Sequence, residues 1–225
     1  MSWLNSTSEV LRKIDIAPHR RGFFKPSYTP VQVSSSPTSE DEVAALIIND
    51  PNMQGRISAY AEEIFGRDFR IHIPPGTATA FFQTTEKKSK VPVFLVNDGF
   101  GINQVIYMLA KILRVDANTI LIEEPEVHLH PTVVRSFVRV LATLVVDERK
   151  QIIFTTHSEQ FMISLLALVS EGVLDQNKVR CYLTAKEKRT TMFKDQKLSV
   201  NGQIEGGLSS FMEGELDDIK KFLAA

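Results

Sequence analysis

The stretch from Thr119 to Pro131, TILIEEPEVHLHP, decides the fold of this chain, together with Gln151–Ser158, QIIFTTHS. Each stretch begins with a run of apolar and β-branched residues that is typical of a buried strand. The first run ends in two glutamates and a proline, and the second ends in two threonines and a histidine. Because ligands of open α/β sheets bind beyond the carboxyl ends of the strands, both ends are candidate site positions.

The segments around these two runs alternate between helical and strand periodicity. In chain order they are GINQVIYMLAKIL, TILIEE, PTVVRSFVRVLATLVVDE, QIIFTTH, SEQFMISLLALVSEG and KVRCYLTA. This alternation predicts an α/β fold with a mostly parallel sheet covered by helices. Three shorter β-like runs, DFRIHI, ATAFFQTT and VPVFLV, lie before it and predict a segment of consecutive antiparallel strands.

The same patterns predict four regions along the chain. They are an extended connector or partial N-terminal region (1–37), helices plus antiparallel strands (38–96), the core lobe (97–184), and a hairpin with a C-terminal helix packed on the core (185–225). Within the second region, Ser39 is placed to cap a helix EDEVAALIIND, and Gly66 is placed to end the next helix.

The composition excludes several classes of protein. Of 225 residues, 43% are hydrophobic and 24% are charged, as in ordinary globular domains. The net charge of −1 gives no overall attraction to nucleic acid or membrane. Cys181 is the only cysteine, so an internal disulfide is impossible, and neither a secretory signal nor a membrane-length apolar run occurs. We expect a soluble cytoplasmic protein without membrane insertion.

The two adjacent glutamates are the strongest chemical signal. Side chains of neighbouring residues at a strand end point in different directions, so Glu123 can reach Mg²⁺ or its water shell while Glu124 orients an attacking water. Taken alone, a strand that ends in Glu-Glu-Pro is equally typical of a solvated strand end. A lone histidine after a strand is also more often a satisfied surface group. The combination of both ends with the helix start at His130 favours a catalytic site.

These motifs resemble those of a known class of enzymes. The run ILIEEP resembles the Walker B strand and catalytic glutamate of ABC-type ATPases, VHLHP resembles their D-loop, and TTHS resembles their switch-histidine loop. The sequence EEPEVHLHP resembles the corresponding motif in the OLD-like branch of that class, which is related to the head domains of SMC and DNA-repair proteins. Upstream, NDGFGINQVIYML resembles the glycine-rich signature at the start of a helix.

The resemblance implies a fold, cofactors and catalytic residues. The fold would be the C-terminal lobe of a P-loop ABC-type ATPase, and the cofactors would be ATP and Mg²⁺. Glu123 would bind the Mg²⁺ through water, Glu124 would polarise the attacking water, and His157 would contact the γ-phosphate.

The resemblance also implies a dimer. Gly99, Gly101 and Gln104 would form the signature that binds the γ-phosphate of an ATP held by the other subunit. His130 would lie in the D-loop that crosses between subunits. The expected assembly is therefore a homodimer or other head-to-tail dimer in the presence of ATP.

Three departures from the family pattern qualify this interpretation. Glu123 stands where most members have aspartate, and glycine or phenylalanine replaces the signature serine. The sequence also contains no GxxxxGK[ST], the loop that cradles a triphosphate. We therefore expect a fragment, a split protein or a degenerate relative that is inactive alone. A P-loop-bearing N-terminal lobe or subunit would have to be supplied for ATP hydrolysis.

Two other functions stay open at this point. One is a non-catalytic interaction module that kept the fold after losing the P-loop. The other is a metal-dependent hydrolase or nuclease built on Glu123, Glu124, Glu126, His128 and His130. In it, Glu126, His128 and His130 would alternate along one face of an extended strand and bind Zn²⁺.

A basic cluster near the start of the chain allows an interaction with nucleic acid. It consists of His19, Arg20, Arg21 and Lys25. These residues could contact phosphate or DNA, although a solvated loop or a segment that packs on the missing lobe would show the same composition.

Overall fold

The computed structural model describes residues 13–205. The chain divides into two compact units, and the boundary along the sequence falls between Thr156 and His157. The first unit has the α/β architecture that the alternating pattern predicts. Its strands are β1 (Ile14–Ala17), β2 (Arg67–His72), β3 (Phe81–Glu86), β4 (Pro92–Phe94), β5 (Thr119–Glu123) and β6 (Gln151–Thr155). Its helices are α1 (Glu40–Asn49), α2 (Pro51–Phe65), α3 (Phe100–Ile112) and α4 (Pro131–Asp147), with a short 3-10 turn at Leu95–Asn97.

The three parallel strands of the first unit are ordered β1, β5, β6, so the strand with the two glutamates at its end is central. Side chains on one face of the sheet are buried, including those of Ala17 and Ile122. Helix α3 is buried from Ile102 to Ile112, and α4 buries a stripe that includes Phe137 and Leu144. The prediction of a parallel sheet with helices packed on it is therefore confirmed.

The antiparallel segment also has the predicted form. Strands β2, β3 and β4 pair in sequence order as an antiparallel sheet. The helices before it have the predicted caps, because Ser39 and Glu42 form a reciprocal capping box at α1 and Gly66 ends α2 with φ 68°. Asp50 caps the start of α2 with its side chain.

Strand β1 was not predicted. Residues 1–37 were expected to be a connector, yet Ile14–Ala17 form an edge strand of the parallel sheet beside β5. Asp15 in this strand is fully buried and forms ion pairs with Lys111 at 2.6 Å and Arg114 at 2.5 Å. The sequence of β1 gives no strand signal, because it is only four residues long and contains an aspartate. The positive charges that permit burial of Asp15 lie about a hundred residues away in the sequence.

The second unit contains α5 (Glu159–Ser170), a 3-10 turn (Gln176–Lys178) and the strands β7 (Cys181–Glu187) and β8 (Thr190–Gln196). The prediction that KVRCYLTA continues the parallel sheet was wrong, because β7 pairs antiparallel with β8 as a two-stranded hairpin. Its alternation of half-buried and exposed side chains is typical of an antiparallel hairpin with one solvated face. The predicted C-terminal helix lies outside the described residues.

A small apolar cluster stabilises this unit. Met162, Leu166 and Ile204 form it, and Cys181 and Leu198 pack against it. Within residues 13–205, no helix is both long and apolar enough to cross a membrane.

Candidate functional site

The carboxyl end of β5 is where the two glutamates lie. β5 ends at Glu123, whose side chain is 63% exposed. Glu124 follows in the left-handed region with φ 42°, and its backbone N–H donates to the carbonyl oxygen of Thr155 at 2.9 Å. A left-handed conformation is unfavourable for a residue with a side chain and is typical of functional sites. The turn therefore fixes the backbone at the point where the chain leaves β5 and where both carboxylates are attached.

Arg21 holds this turn from inside the protein. Arg21 is 2% exposed, and its guanidinium donates hydrogen bonds to the carbonyl oxygens of Glu123 at 2.7 Å and Glu124 at 2.6 Å. Burial lowers the pKa of Arg21, while the negative charges of Glu126, Glu123 and Glu124 oppose that shift. The buried cation therefore fixes the strand end and offsets part of the repulsion between the carboxylates.

The loop after Glu124 is a series of tight turns. The N–H of Val127 donates to the Glu124 carbonyl at 3.2 Å, and the N–H of Leu129 donates to the Glu126 carbonyl at 2.9 Å. His128 is left-handed with φ 65°. The sequence-based hypothesis that residues 126, 128 and 130 line one strand face was therefore wrong. In the described part of the chain, no group of three or more His, Cys, Asp or Glu side chains is placed to hold a metal ion.

Glu126 links this loop to the end of β6. Its Oε1 accepts a hydrogen bond of 2.5 Å from the Thr156 hydroxyl. Its Oε2 is buried and has no hydrogen-bond partner among the described residues. The loop after β5 and the residue after β6 are thus joined by the side chain of Glu126, which sequence analysis named only as a candidate Zn²⁺ ligand.

The glycine-rich helix start packs against the same loop. Gly99 precedes α3 with φ 95°, a backbone conformation that favours glycine. At Gly101, a Cβ would lie 2.7 Å from the carbonyl oxygen of His128. The structure therefore brings the predicted signature to the predicted D-loop. Close packing is a reason for glycine at position 101 besides any contact with an anion.

Gln104 and Asn103 are buried behind this helix start. Gln104 was expected to contact the γ-phosphate, but the residue is only 7% exposed. Its Oε1 has no hydrogen-bond partner in the described part of the chain. Asn103, which sequence analysis missed, accepts from the N–H of Phe23 at 2.6 Å and donates to its carbonyl oxygen at 2.8 Å. This pair docks the segment that carries Arg21 onto α3.

The two histidines of the predicted site lie in different structural environments. His130 is exposed and caps α4, since its Nδ1 accepts from the N–H of Thr132 at 3.4 Å. His157 is exposed in the loop between β6 and α5, where the second unit begins. The structure thus gathers Glu123, Glu124 and Gly101 at one end of the first unit, and it assigns His130 a capping contact.

The basic cluster predicted near the N-terminus is not a single anion site. Arg20 lies over the ring of Phe24 at 5.6 Å, and Lys25 pairs with Asp41 at 2.5 Å. Arg21 is buried, while a ring nitrogen of His19 lies 4.0 Å from the Glu123 carboxylate. The four side chains take separate partners because the segment is folded onto α1, α3 and the end of β5.

Comparison with known proteins defines the class. Residues 34–162 match the AAA ATPase domain family, and the chain belongs to that family. The function of the domain is therefore of the ATPase type. No curated protein matches the chain.

Two solved structures show the same fold. One comes from work on ATP-driven dimerization and DNA-stimulated activation of SMC ATPases, with a TM-score of 0.54 and 11% identity over 79% of this chain and 97% of that chain. The other is the Smc head domain with a coiled coil and joint derived from Pyrococcus yayanosii, with a TM-score of 0.52 and 12% identity over 72% of this chain and 29% of that chain. The fold thus resembles that of SMC head ATPases.

Proposed function

We propose that this chain is the C-terminal lobe of an OLD-like, ABC-type ATPase, which hydrolyses ATP with Mg²⁺ once a P-loop-bearing lobe or subunit is present. The observation that carries the proposal is the end of β5. There Glu124 is held in a left-handed turn by hydrogen bonds to Arg21 and Thr155, directly after the exposed carboxylate of Glu123. Membership of the AAA ATPase domain family supports ATP as the substrate.

In this proposal the chemistry is in-line attack of water on the γ-phosphate, and catalysis comes from positioning and charge stabilisation. Glu124 orients the water and accepts its proton. Glu123 provides exposed carboxylate oxygens, the donor type that Mg²⁺ prefers, and bound Mg²⁺ would supply charge that stabilises the phosphates. His157 hydrogen-bonds the γ-phosphate.

An exposed face of the parallel sheet supports the requirement for a further lobe. Ile16, Leu121 and Ile153 are paired across the three strands, so they form one apolar row. Ile16 is 53% and Ile153 is 49% exposed, whereas the β1 and β5 residues on the opposite face, such as Ala17 and Ile122, are buried. Parallel sheets are normally covered on both faces. We propose that the P-loop-bearing lobe covers this row, since the chain has no GxxxxGK[ST] of its own.

The start of α3 supports the proposed head-to-tail dimer. Gly99 opens the helix, where free backbone N–H groups and the helix dipole attract anions. Phe100 beside it is 60% exposed. In the dimer this helix start would contact the γ-phosphate of an ATP bound by the other subunit. Because Gln104 is buried, we assign it a packing role rather than a contact with the phosphate.

The test is ATP turnover by the chain alone and in a mixture with the polypeptide encoded immediately upstream. Glu124→Gln should reduce turnover of the mixture by at least about a hundredfold, the scale of a lost catalytic base. Glu63→Gln, which removes an exposed carboxylate on α2, is the matched control and should leave turnover unchanged.

Each outcome of this test separates the hypotheses. Turnover that requires the mixture and Glu124 would support the composite ATPase. Turnover by the chain alone would contradict the need for a separate P-loop. Absence of nucleotide binding and turnover in both would favour the non-catalytic interaction module, to which the missing triphosphate loop also points.

A further inference from the structure

We propose that the β7–β8 hairpin of the second unit binds single-stranded nucleic acid on its solvated face. This face, called the hairpin face below, is formed by Tyr182, Thr184 and Lys186 of β7 and by Thr191, Phe193 and Asp195 of β8. The site belongs to the second unit and does not depend on the proposed ATPase activity.

The register of the hairpin separates its two faces. Tyr182 pairs with Asp195 and Thr184 pairs with Phe193, so both aromatic rings lie on the hairpin face, diagonally across the two strands. On the opposite face, Cys181, Leu183 and Ala185 of β7 are half-buried, whereas the β8 residues except Gln196 are exposed. Cys181 packs against the apolar cluster of Met162 and Leu166. The rings therefore lie on the face opposite the one that packs on the unit's core.

The exposure of these rings is not explained by folding. Tyr182 is 59% exposed and Phe193 is 70% exposed. Aromatic side chains of this size normally bury most of their surface, and a solvated hairpin face is ordinarily polar. Two exposed rings at neighbouring diagonal positions instead provide flat surfaces on which unpaired bases can stack.

Positive charge is concentrated around the same hairpin. Between residues 178 and 197 the sequence has seven basic and two acidic residues, although the whole chain has a net charge of −1. Lys194 pairs with Glu187 at 3.1 Å. Lys186, Lys188 and Arg189 have no carboxylate partner within residues 13–205. They surround the turn and are available to phosphates.

The combination of rings and cations favours single strands over other anionic partners. Duplex DNA offers phosphates but keeps its base faces stacked, so it would use the cations and leave the rings unused. An acidic peptide would likewise be attracted by charge alone. A single strand uses both features, because its phosphates meet the lysines while its bases stack on Tyr182 and Phe193.

The first experiment measures binding of the full chain to a labelled oligothymidine by fluorescence anisotropy, without ATP, over a series of salt concentrations. The variant Tyr182→Thr/Phe193→Thr removes both rings but keeps residues that favour strands. Binding should weaken by about tenfold or more for each ring. Circular dichroism and unfolding curves establish that the hairpin variant remains folded.

The second experiment tests the charges. In Lys186→Gln/Lys188→Gln, the slope of log binding constant against log salt should become shallower by about 1.4, because two phosphate contacts are lost. The matched control is Lys88→Gln/Lys90→Gln in the β3–β4 turn, where Lys90 has the same left-handed φ of 54° as Lys188. The control should leave both affinity and slope unchanged.

Several results would overturn the proposal. They are absence of oligothymidine binding at low salt, unchanged affinity without the two rings, and an equal loss in the Lys88/Lys90 control. Tighter binding to duplex DNA, polyglutamate or anionic vesicles than to oligothymidine would also overturn it, because the hairpin face would then bind a different class of anionic partner.

Discussion

Arg21 donates a hydrogen bond of 2.6 Å to the carbonyl oxygen of Glu124, which lies 103 residues further along the chain. A second bond from the same guanidinium reaches the Glu123 carbonyl at 2.7 Å. These bonds fix both peptide groups at the point where the backbone leaves β5 in a left-handed conformation. The segment before α1 therefore helps to position the candidate catalytic glutamate, although it contributes no side chain to the predicted motifs.

Replacing Arg21 with methionine should destabilise the protein. Two carbonyl groups would lose their buried donors, so we expect the free energy of unfolding to fall by about 2–4 kcal/mol in urea titrations. Arg21→Lys keeps the charge and should recover part of this loss. Arg20→Met, at an exposed position, should change stability by less than about 0.5 kcal/mol. Equal stability of the Arg20 and Arg21 variants would contradict the assigned role.

Gly101→Ala should separate α3 from the loop after β5. Its Cβ would lie 2.7 Å from the His128 carbonyl oxygen, a distance that forces the backbone to move. We expect a loss of about 1–3 kcal/mol in the free energy of unfolding, as for other overpacked positions. The control is Gly55→Ala in α2, where a Cβ meets nothing within 4 Å. That change should be neutral or stabilising by about 0.5–1 kcal/mol. Thermal and urea unfolding measure both, and a harmless Gly101→Ala would contradict the close approach.

Asp15→Asn should test the buried ion pairs that hold β1. Lys111 is fully buried and burial lowers its pKa, while the hydrogen bond to Asp15 opposes this shift. Without the carboxylate, Lys111 and Arg114 would lose their compensating charge, so we expect a loss of about 3–5 kcal/mol. Asp116 also pairs with Arg114 but is 59% exposed, and Asp116→Asn should cost less than about 1 kcal/mol. Urea unfolding of both variants distinguishes the sites.

Glu42 should make stability depend on pH in the acid range. Hydrogen bonds from the hydroxyls and amides of Ser34 and Ser39 lower the pKa of Glu42 to about 2. Because this folded-state pKa is below the ordinary value of 4.5, the contribution of Glu42 is present above pH 4.5 and is lost as the pH falls toward 2. Glu42→Gln should flatten the decline of melting temperature over this interval. Glu63→Gln on α2 is the control, and an unchanged profile in Glu42→Gln would contradict the shift.

Much of the fold could be predicted because its signals are local. The period of apolar residues identified the helices and most strands, and the capping residues Ser39, Gly66 and His130 marked helix ends. Two-residue periodicity gave the antiparallel strands β2 and β3 but did not reveal the partner of β7, because a strand's pattern shows which face is buried and not which strand lies beside it.

The sequence by itself determined the order of the elements from α1 onward, and it placed Glu123, Glu124 and the Thr-His-Ser run at the ends of strands. Each of these features depends on neighbouring residues. Only the tertiary structure decided that Arg21 is buried beneath Glu124, that Gly101 packs against His128, and that Gln104 is enclosed. These relationships join residues far apart in the sequence. Their energies come from desolvation and close contact, which exist only once the chain has folded.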